Sequence, residues 1–214
     1  MLDPLIALLD YGAGNIRSVE KALRATNTDV QRISHPKGLA HAHGMVLPGV
    51  GSFDDCVNAL DRQELREGIV DWIQRGRPFL GICVGYQALF DRSEEFNSCA
   101  LGLKIFEGSV VRFQTTSLEP RLKIPQIGWN QVSLANNDCP LFQGIPTDAY
   151  FYFVHSYYPQ PTDPRIVAGN THYGRPFASA IWRDNVFATQ FHPEKSQSAG
   201  LRLLENFVKF CKKP

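Results

Sequence analysis

The stretch Phe79-Leu80-Gly81-Ile82-Cys83-Val84-Gly85-Tyr86-Gln87 carries an apolar run into a thiol with glycine two residues to either side. The run, Pro78 to Ile82, reads as a strand, and Gly85 to Phe90 opens a helix. Strand, G-x-C-x-G, helix is the thiol counterpart of the G-x-S-x-G nucleophile elbow. The two glycines leave room for a sharp turn in which Cys83 takes strained backbone angles and its sulfur stands above the sheet, at a helix N-terminus. The competing reading is a buried core cysteine between packing glycines, because free cysteine is often buried.

The same alternation extends upstream. Leu5 to Leu9, Val30 to Ile33 and Gly44 to Leu47 read as strands, and Asn15 to about Ala25 and Asp54 to Arg75 as helical stretches. Strand, turn, helix repeated in this way predicts a doubly wound, flavodoxin-like, mostly parallel sheet with helices on both faces. Ligands in such sheets sit beyond the carboxyl ends of the strands. There the chain carries Gly12-Ala13-Gly14, Gly49-Val50-Gly51 and Gly81 to Gly85.

Downstream, Lys104 to Phe113, Gly128 to Leu134, Ala149 to Tyr158, Arg165 to Gly169, Phe177 to Trp182 and Val186 to Gln190 read as strands. They fit antiparallel additions to the sheet or a small second sheet. His172 falls in a turn-like Asn170 to Gly174, and Leu118 to Pro125 reads as a loop. Gln197 to Phe210 closes the chain with a helix, its apolar residues at helical spacing. No linker or repeat divides residues 1–214, which read as one domain.

Composition narrows the function. With 22 basic and 21 acidic residues the net charge is +1, and basic residues are scattered apart from Lys212-Lys213. That balance gives no reason to expect a nucleic acid or an anionic membrane as partner. No run of about 18 apolar residues predicts a spanning helix, and Met1-Leu2-Asp3-Pro4 does not open a signal peptide. Five cysteines without C-x-x-C or framework spacing suit free thiols in a reducing cytoplasm. No histidine stands in ligand spacing with a cysteine, so no metal or cofactor is expected.

A free thiol near pKa 8.5 is only about three per cent thiolate at neutral pH, so a nucleophilic Cys83 needs help. A helix N-terminus and an imidazolium supply it. The N–H of Val84, with a second donor from the turn Pro48-Gly49-Val50-Gly51, could face a developing oxyanion. Among six histidines, His35, His41 and His43 sit in a polar surface-like stretch, and His155 follows an aromatic strand. His192 ends the strand leading to Phe191 and is followed by Pro193-Glu194. The proline fixes the backbone, and Glu194 can accept the imidazole N–H and set its tautomer.

These segments together resemble the class I, triad-type glutamine amidotransferases. Asp10-Tyr11-Gly12-Ala13-Gly14-Asn15, Leu47 to Phe53, Ile127-Gly128-Trp129-Asn130, Tyr152 to Tyr157 and His192-Pro193-Glu194-Lys195-Ser196 resemble more narrowly the glutaminase subunits of imidazole glycerol phosphate synthase. The resemblance implies Cys83 as nucleophile, His192 as base and acid, and Glu194 as orienter, with Val84 and Val50 as oxyanion donors. It implies that Gln87 and Glu95 hold the amino-acid end of glutamine, that Ser156 and Tyr157 grip its carboxylate and that Gly51 lines the pocket. Asn15, Trp129, Tyr152 and Lys195 would meet a (β/α)8-barrel cyclase that takes the ammonia to make imidazole glycerol phosphate and AICAR in histidine biosynthesis. Read as residues alone, Trp129 and Tyr152 could be core aromatics, Lys195 a surface lysine and Asn15 a helix cap. Tyr86, Asp10 and Gln126 stand where the family often has methionine, asparagine and histidine. Two rival readings are the glutaminase subunit of a vitamin B6 or anthranilate synthase, and a non-catalytic subunit that stabilises a partner.

Overall fold

A computed structural model describes residues 4–12, 15–115 and 122–212. The first half runs β1 (Leu5–Leu9), α1 (Ile16–Arg24), β2 (Asp29–Ile33), β3 (Gly44–Leu47), α2 (Phe53–Arg62), α3 (Leu65–Gln74), β4 (Phe79–Ile82) and α4 (Val84–Gln87). The second runs β5 (Arg92–Ser93), β6 (Gly108–Arg112), β7 (Gln126–Leu134), β8 (Ala149–His155), β9 (Tyr157–Pro161), β10 (Val167–Tyr173), β11 (Arg175–Arg183), β12 (Val186–Thr189) and α5 (Gln197–Cys211).

Nine strands form one sheet in the order β2-β1-β3-β4-β12-β11-β10-β7-β8. From β2 to β12 every pairing is parallel, and from β12 to β8 every pairing is antiparallel. The parallel half has the flavodoxin-type order, and its central strands β3, β4 and β12 are buried at every residue. Burial on both faces is what a continuous apolar run predicts, whereas β7, near the sheet edge, alternates. A second sheet, β5-β6-β9, meets the rest of the fold where β9 packs against β11 and α4.

Several expected elements differ in extent. The helical stretch Asp54 to Arg75 is two helices, α2 and α3, because Glu64 adopts a left-handed conformation, φ 57°, that no glycine or proline announces. The helix after Cys83 is a single turn, so it carries little of the macrodipole expected there. Lys104 to Phe113 is a strand only from Gly108, after left-handed Lys104 (φ 55°). Ala149 to Tyr158 is two strands that part at Ser156, β9 leaving for the small sheet. Residues 164–166 form a short 3-10 turn, and β10 runs on through His172, leaving Gly174 (φ 69°) as the turn into β11. Of the loop expected at Leu118 to Pro125, residues 118–121 lie outside the described residues. Among the described residues no helix is long and apolar enough to cross a membrane.

Candidate active site

Cys83 is the residue between β4 and α4, with φ 54° and ψ −107°. A side-chain-bearing residue at such φ costs of order 1–3 kcal/mol, and such strain persists only where the surroundings enforce it. Enforcement is visible on both sides. The Cys83 N–H donates to the Thr189 carbonyl at 2.8 Å, continuing the β4–β12 ladder one residue past the strand. On the other flank the elbow is pressed against β3. A Cβ on Gly85 would overlap the Leu47 carbonyl oxygen, and one on Gly81 would lie 2.7 Å from the Gly85 oxygen. Only glycine allows the turn to close, as the G-x-C-x-G pattern predicts. Val84 opens α4, so its N–H has no acceptor within the helix.

β12 pairs with β4, with Thr189 opposite Ile82, so the chain leaving β12 passes the sulfur. Three residues beyond Thr189, His192 is 1% exposed, and its Nδ1 lies 2.8 Å from Glu194 Oε1. The 3-10 turn Pro193–Lys195 swings Glu194 back onto the ring. Burial opposes the imidazolium, but the neighbouring Cys83 sulfur and the Glu194 carboxylate outweigh it and hold the His192 pKa above its ordinary value. Nε2 is buried without a hydrogen-bond partner. The sulfur thus acts on a ring whose Nε2 has no other partner to hold it.

The turn bearing His192 is tied to the sheet edge. His192 N–H donates to the Tyr152 carbonyl at 2.9 Å, Ser196 Oγ donates to the His192 carbonyl at 2.7 Å and Tyr152 N–H donates to Ser196 Oγ at 3.0 Å. Asn15 sits at the N-cap of α1 but makes no side-chain cap bond. Its amide reaches across instead and donates to Glu194 Oε1 at 3.1 Å. The capping reading of Asn15 fails, and a link to the carboxylate takes its place.

A cleft of about 400 Å³ opens over the sulfur, lined by Val50, Gly51, Gln87, Glu95, Ser156 and Tyr157 together with Cys83, Val84 and His192. Every substrate-side residue expected from the sequence is in that lining. Glu95 Oε2 accepts from the Phe53 N–H at 2.7 Å. Burial, with Asp54 and Asp55 adding to it, raises its pKa against that bond. Gln87 Nε2 donates to the Tyr157 carbonyl at 3.0 Å and to Gln190 Oε1 at 3.2 Å. His155, also in the lining, sits between Gln126 Oε1 at 3.0 Å and the Tyr157 carbonyl at 2.7 Å. Burial keeps it neutral, its pKa lowered to about 4. Tyr11 OH donates to the Pro48 carbonyl at 2.9 Å, anchoring the turn that bears Val50.

Sequence reasoning missed Gln190, Ser196 and Tyr11 as parts of this site. Gln190 ends the strand two residues before His192 and Ser196 lies four residues after it, and that adjacency was the available signal. Tyr11 lies in the segment Asp10 to Asn15, which also carries the resemblance.

Beside the cleft, β7 and β8 present an aromatic face. Trp129 is opposite Tyr152 in register, 45% exposed, with the two rings edge to face at 6.1 Å. Lys195 Nζ lies 5.7 Å from the Tyr152 ring. Ile127 and Tyr150 are more than half exposed on the same strands. Trp129 is thus no core aromatic, and Lys195 is fixed over a ring while remaining exposed.

Residues 7–210 match the family model of glutamine amidotransferase class-I. The chain is 48% identical over 205 residues to "Imidazole glycerol phosphate synthase subunit HisH" of Syntrophotalea carbinolica, covering 95% of this chain and 98% of that protein. It is 49% identical over 211 residues to the protein of the same name in Nitrosomonas europaea, covering 96% and 98%. Among solved structures, PurLQS from Thermotoga maritima superposes with a TM-score of 0.78 at 18% identity, over 99% of this chain and 100% of that one. The glutaminase domain of Trypanosoma brucei CTPS superposes at 0.67 and 16% identity, over 96% and 94%. At such identities these two likenesses bear on the fold alone.

Proposed function

We propose, from the premise that this chain belongs to the class I glutamine amidotransferases and is the glutaminase subunit of an imidazole glycerol phosphate synthase, that Cys83, His192 and Glu194 are its catalytic triad. The observation that carries the assignment is convergence. A thiol on a strained elbow and a buried histidine-carboxylate pair more than a hundred residues later share one cleft. His192 takes the Cys83 thiol proton as the sulfur attacks the side-chain amide carbon of glutamine. The oxygen takes up negative charge beside the N–H groups of Val84 and Val50. His192 passes a proton to the departing nitrogen, ammonia leaves and a γ-glutamyl thioester remains. Water, deprotonated by His192, then releases glutamate and restores the thiol. Glu194, acceptor to His192 Nδ1, fixes the tautomer that leaves Nε2 facing the sulfur.

Gln87, Glu95, Ser156, Tyr157 and Gly51 make the pocket for the amino-acid end of glutamine, and a 400 Å³ cleft is of a size to hold it. The face formed by Trp129, Tyr152 and Lys195 docks the (β/α)8-barrel cyclase as a heterodimer, with Asn15 bridging from that side to Glu194. Exposed aromatics clustered on a sheet edge are typical anchors of an interface. Transfer within such a complex protects ammonia from protonation by solvent. Residues 1–214 act as one amidotransferase domain, in a reducing cytoplasm that suits thiols. The relatives' names favour this synthase over one for vitamin B6 or anthranilate. The test is release of glutamate from glutamine by the purified protein with the cyclase and its nucleotide substrate. Activity is expected in the complex and absent in Cys83→Ala; equal activity in that variant refutes the assignment.

A further inference from the structure

Beside the thiol lies a buried amide whose orientation is fixed by a backbone atom. Gln190 is 0% exposed, and its Nε2 is 3.6 Å from Cys83 Sγ. An amide can in principle turn either end toward a neighbour. Here the neighbours remove that freedom. Gln87 donates one N–H to the Tyr157 carbonyl, an acceptor that cannot be reversed. His155 Nδ1 lies 2.7 Å from that same carbonyl, which holds it in place. The second N–H of Gln87 is then aimed at Gln190, which must answer with its oxygen, as it does at 3.2 Å. Reversal of Gln190 would set two NH2 groups against each other. Its own NH2 is left pointing at the sulfur.

We propose that Gln190 is a catalytic residue of the glutaminase reaction: a preoriented N–H donor that stabilises the Cys83 thiolate. A neutral thiol is a weak acceptor and gains little from such a donor. A thiolate is a full charge, and hydrogen bonds to charged groups are about twice as strong as neutral ones. The donor therefore favours the attacking form and the thiolate that leaves when the thioester is hydrolysed. Burial strengthens the effect, since no water competes for the sulfur on that side. This proposal rests on the assignment of Cys83 as nucleophile.

The test is the pH dependence of alkylation at Cys83 by iodoacetamide, a neutral probe, followed by peptide mapping. Full-length wild type is compared with Gln190→Met, similar in length without a donor, and Gln190→Glu, equal in shape with an acceptor toward the sulfur. The midpoint of the rate profile is expected to move up by about one to two pH units in Gln190→Met, and at least as far in Gln190→Glu. Loss of packing alone changes the plateau rate and leaves the midpoint in place. Unmoved midpoints in both variants overturn the proposal, as does faster glutamine hydrolysis by Gln190→Met than by wild type. If wild-type Cys83 is alkylated without loss of glutaminase activity, the nucleophile assignment itself fails and this proposal with it. The two failures are thus told apart by the wild-type control.

Discussion

Replacing Glu194 by glutamine removes one charge from the site and almost no volume. Oε1 accepts from His192 Nδ1 at 2.8 Å and from the Asn15 amide at 3.1 Å, while Oε2 is buried with no partner. The new amide satisfies both donors by placing its oxygen at the Oε1 position. Its NH2 then occupies the Oε2 position, where it is an orphan donor. The bond lost is a charge-assisted one, of about 1.5–3 kcal/mol against about 1 for its neutral replacement. That difference, about 0.5–2 kcal/mol, together with the weaker hold on the imidazolium formed during attack, sets an expected fall in kcat/KM of roughly 10- to 100-fold. The orphaned donor adds a stability loss of about 1–3 kcal/mol, a thermal midpoint lower by several degrees for a chain of this size. The His192 pKa is raised in the folded protein from its ordinary 6.5. Its contribution to stability is therefore complete below about pH 6.5 and fades as pH rises through the folded-state value. Part of that upward pull belongs to Glu194, so the stability gap between wild type and Glu194→Gln is expected to be widest near pH 6.5 and to narrow toward pH 9. Glutaminase kinetics with the cyclase present, and melting curves across that range, read both effects. A variant with wild-type kcat/KM, or a gap that widens with pH, would refute the reasoning.

Gly85→Ala drives a methyl group into the Leu47 carbonyl, so β3 and the elbow must separate; a loss of at least about 3 kcal/mol in denaturant unfolding is expected, with activity abolished. Trp129→Ala, at a position 45% exposed, should change the thermal midpoint of the isolated subunit little and weaken cyclase binding at least about 30-fold by calorimetry. His155 is buried and neutral with its pKa lowered to about 4, so its contribution is complete above pH 6.5. Stability should fall by about 1.4 kcal/mol per unit as pH drops from there toward 4, and His155→Gln should lose that share of the slope in urea unfolding.

Much of the site was legible because the family of motifs marks backbone constraints. Gly81 and Gly85 report a turn that no Cβ survives, and Pro193 reports a strand's end beside His192. Continuous apolar runs disclosed β1, β3 and β4 because strands covered on both faces have no polar side to confuse the pattern. What escaped was set by tertiary contact. Nothing local distinguishes Glu64, whose left-handed backbone splits α2 from α3, from a helical glutamate. The division of Ala149 to Tyr158 at Ser156 depends on which sheet each half joins, and both halves have strand composition. Asn15 was read as an interface residue or cap, because its bond to Glu194 spans the length of the chain.

The convergence of sulfur and imidazole follows from register. β4 and β12 run parallel and adjacent, with Gly81 opposite Ala188 and Ile82 opposite Thr189. Cys83 is one residue past its strand and bonds back to Thr189, so its sulfur emerges beside Gln190 and just short of His192. A slip of β12 by one residue would exchange the faces of Gln190 and Phe191, placing a ring where the sulfur's amide neighbour now stands. The apolar core forbids that slip, because Val186, Phe187 and Ala188 are fully buried. Packing that stabilises the sheet is thus the same packing that aims the nucleophile. For that reason substitutions in β12 far from any substrate atom, Phe187→Ala among them, should lower turnover as well as stability.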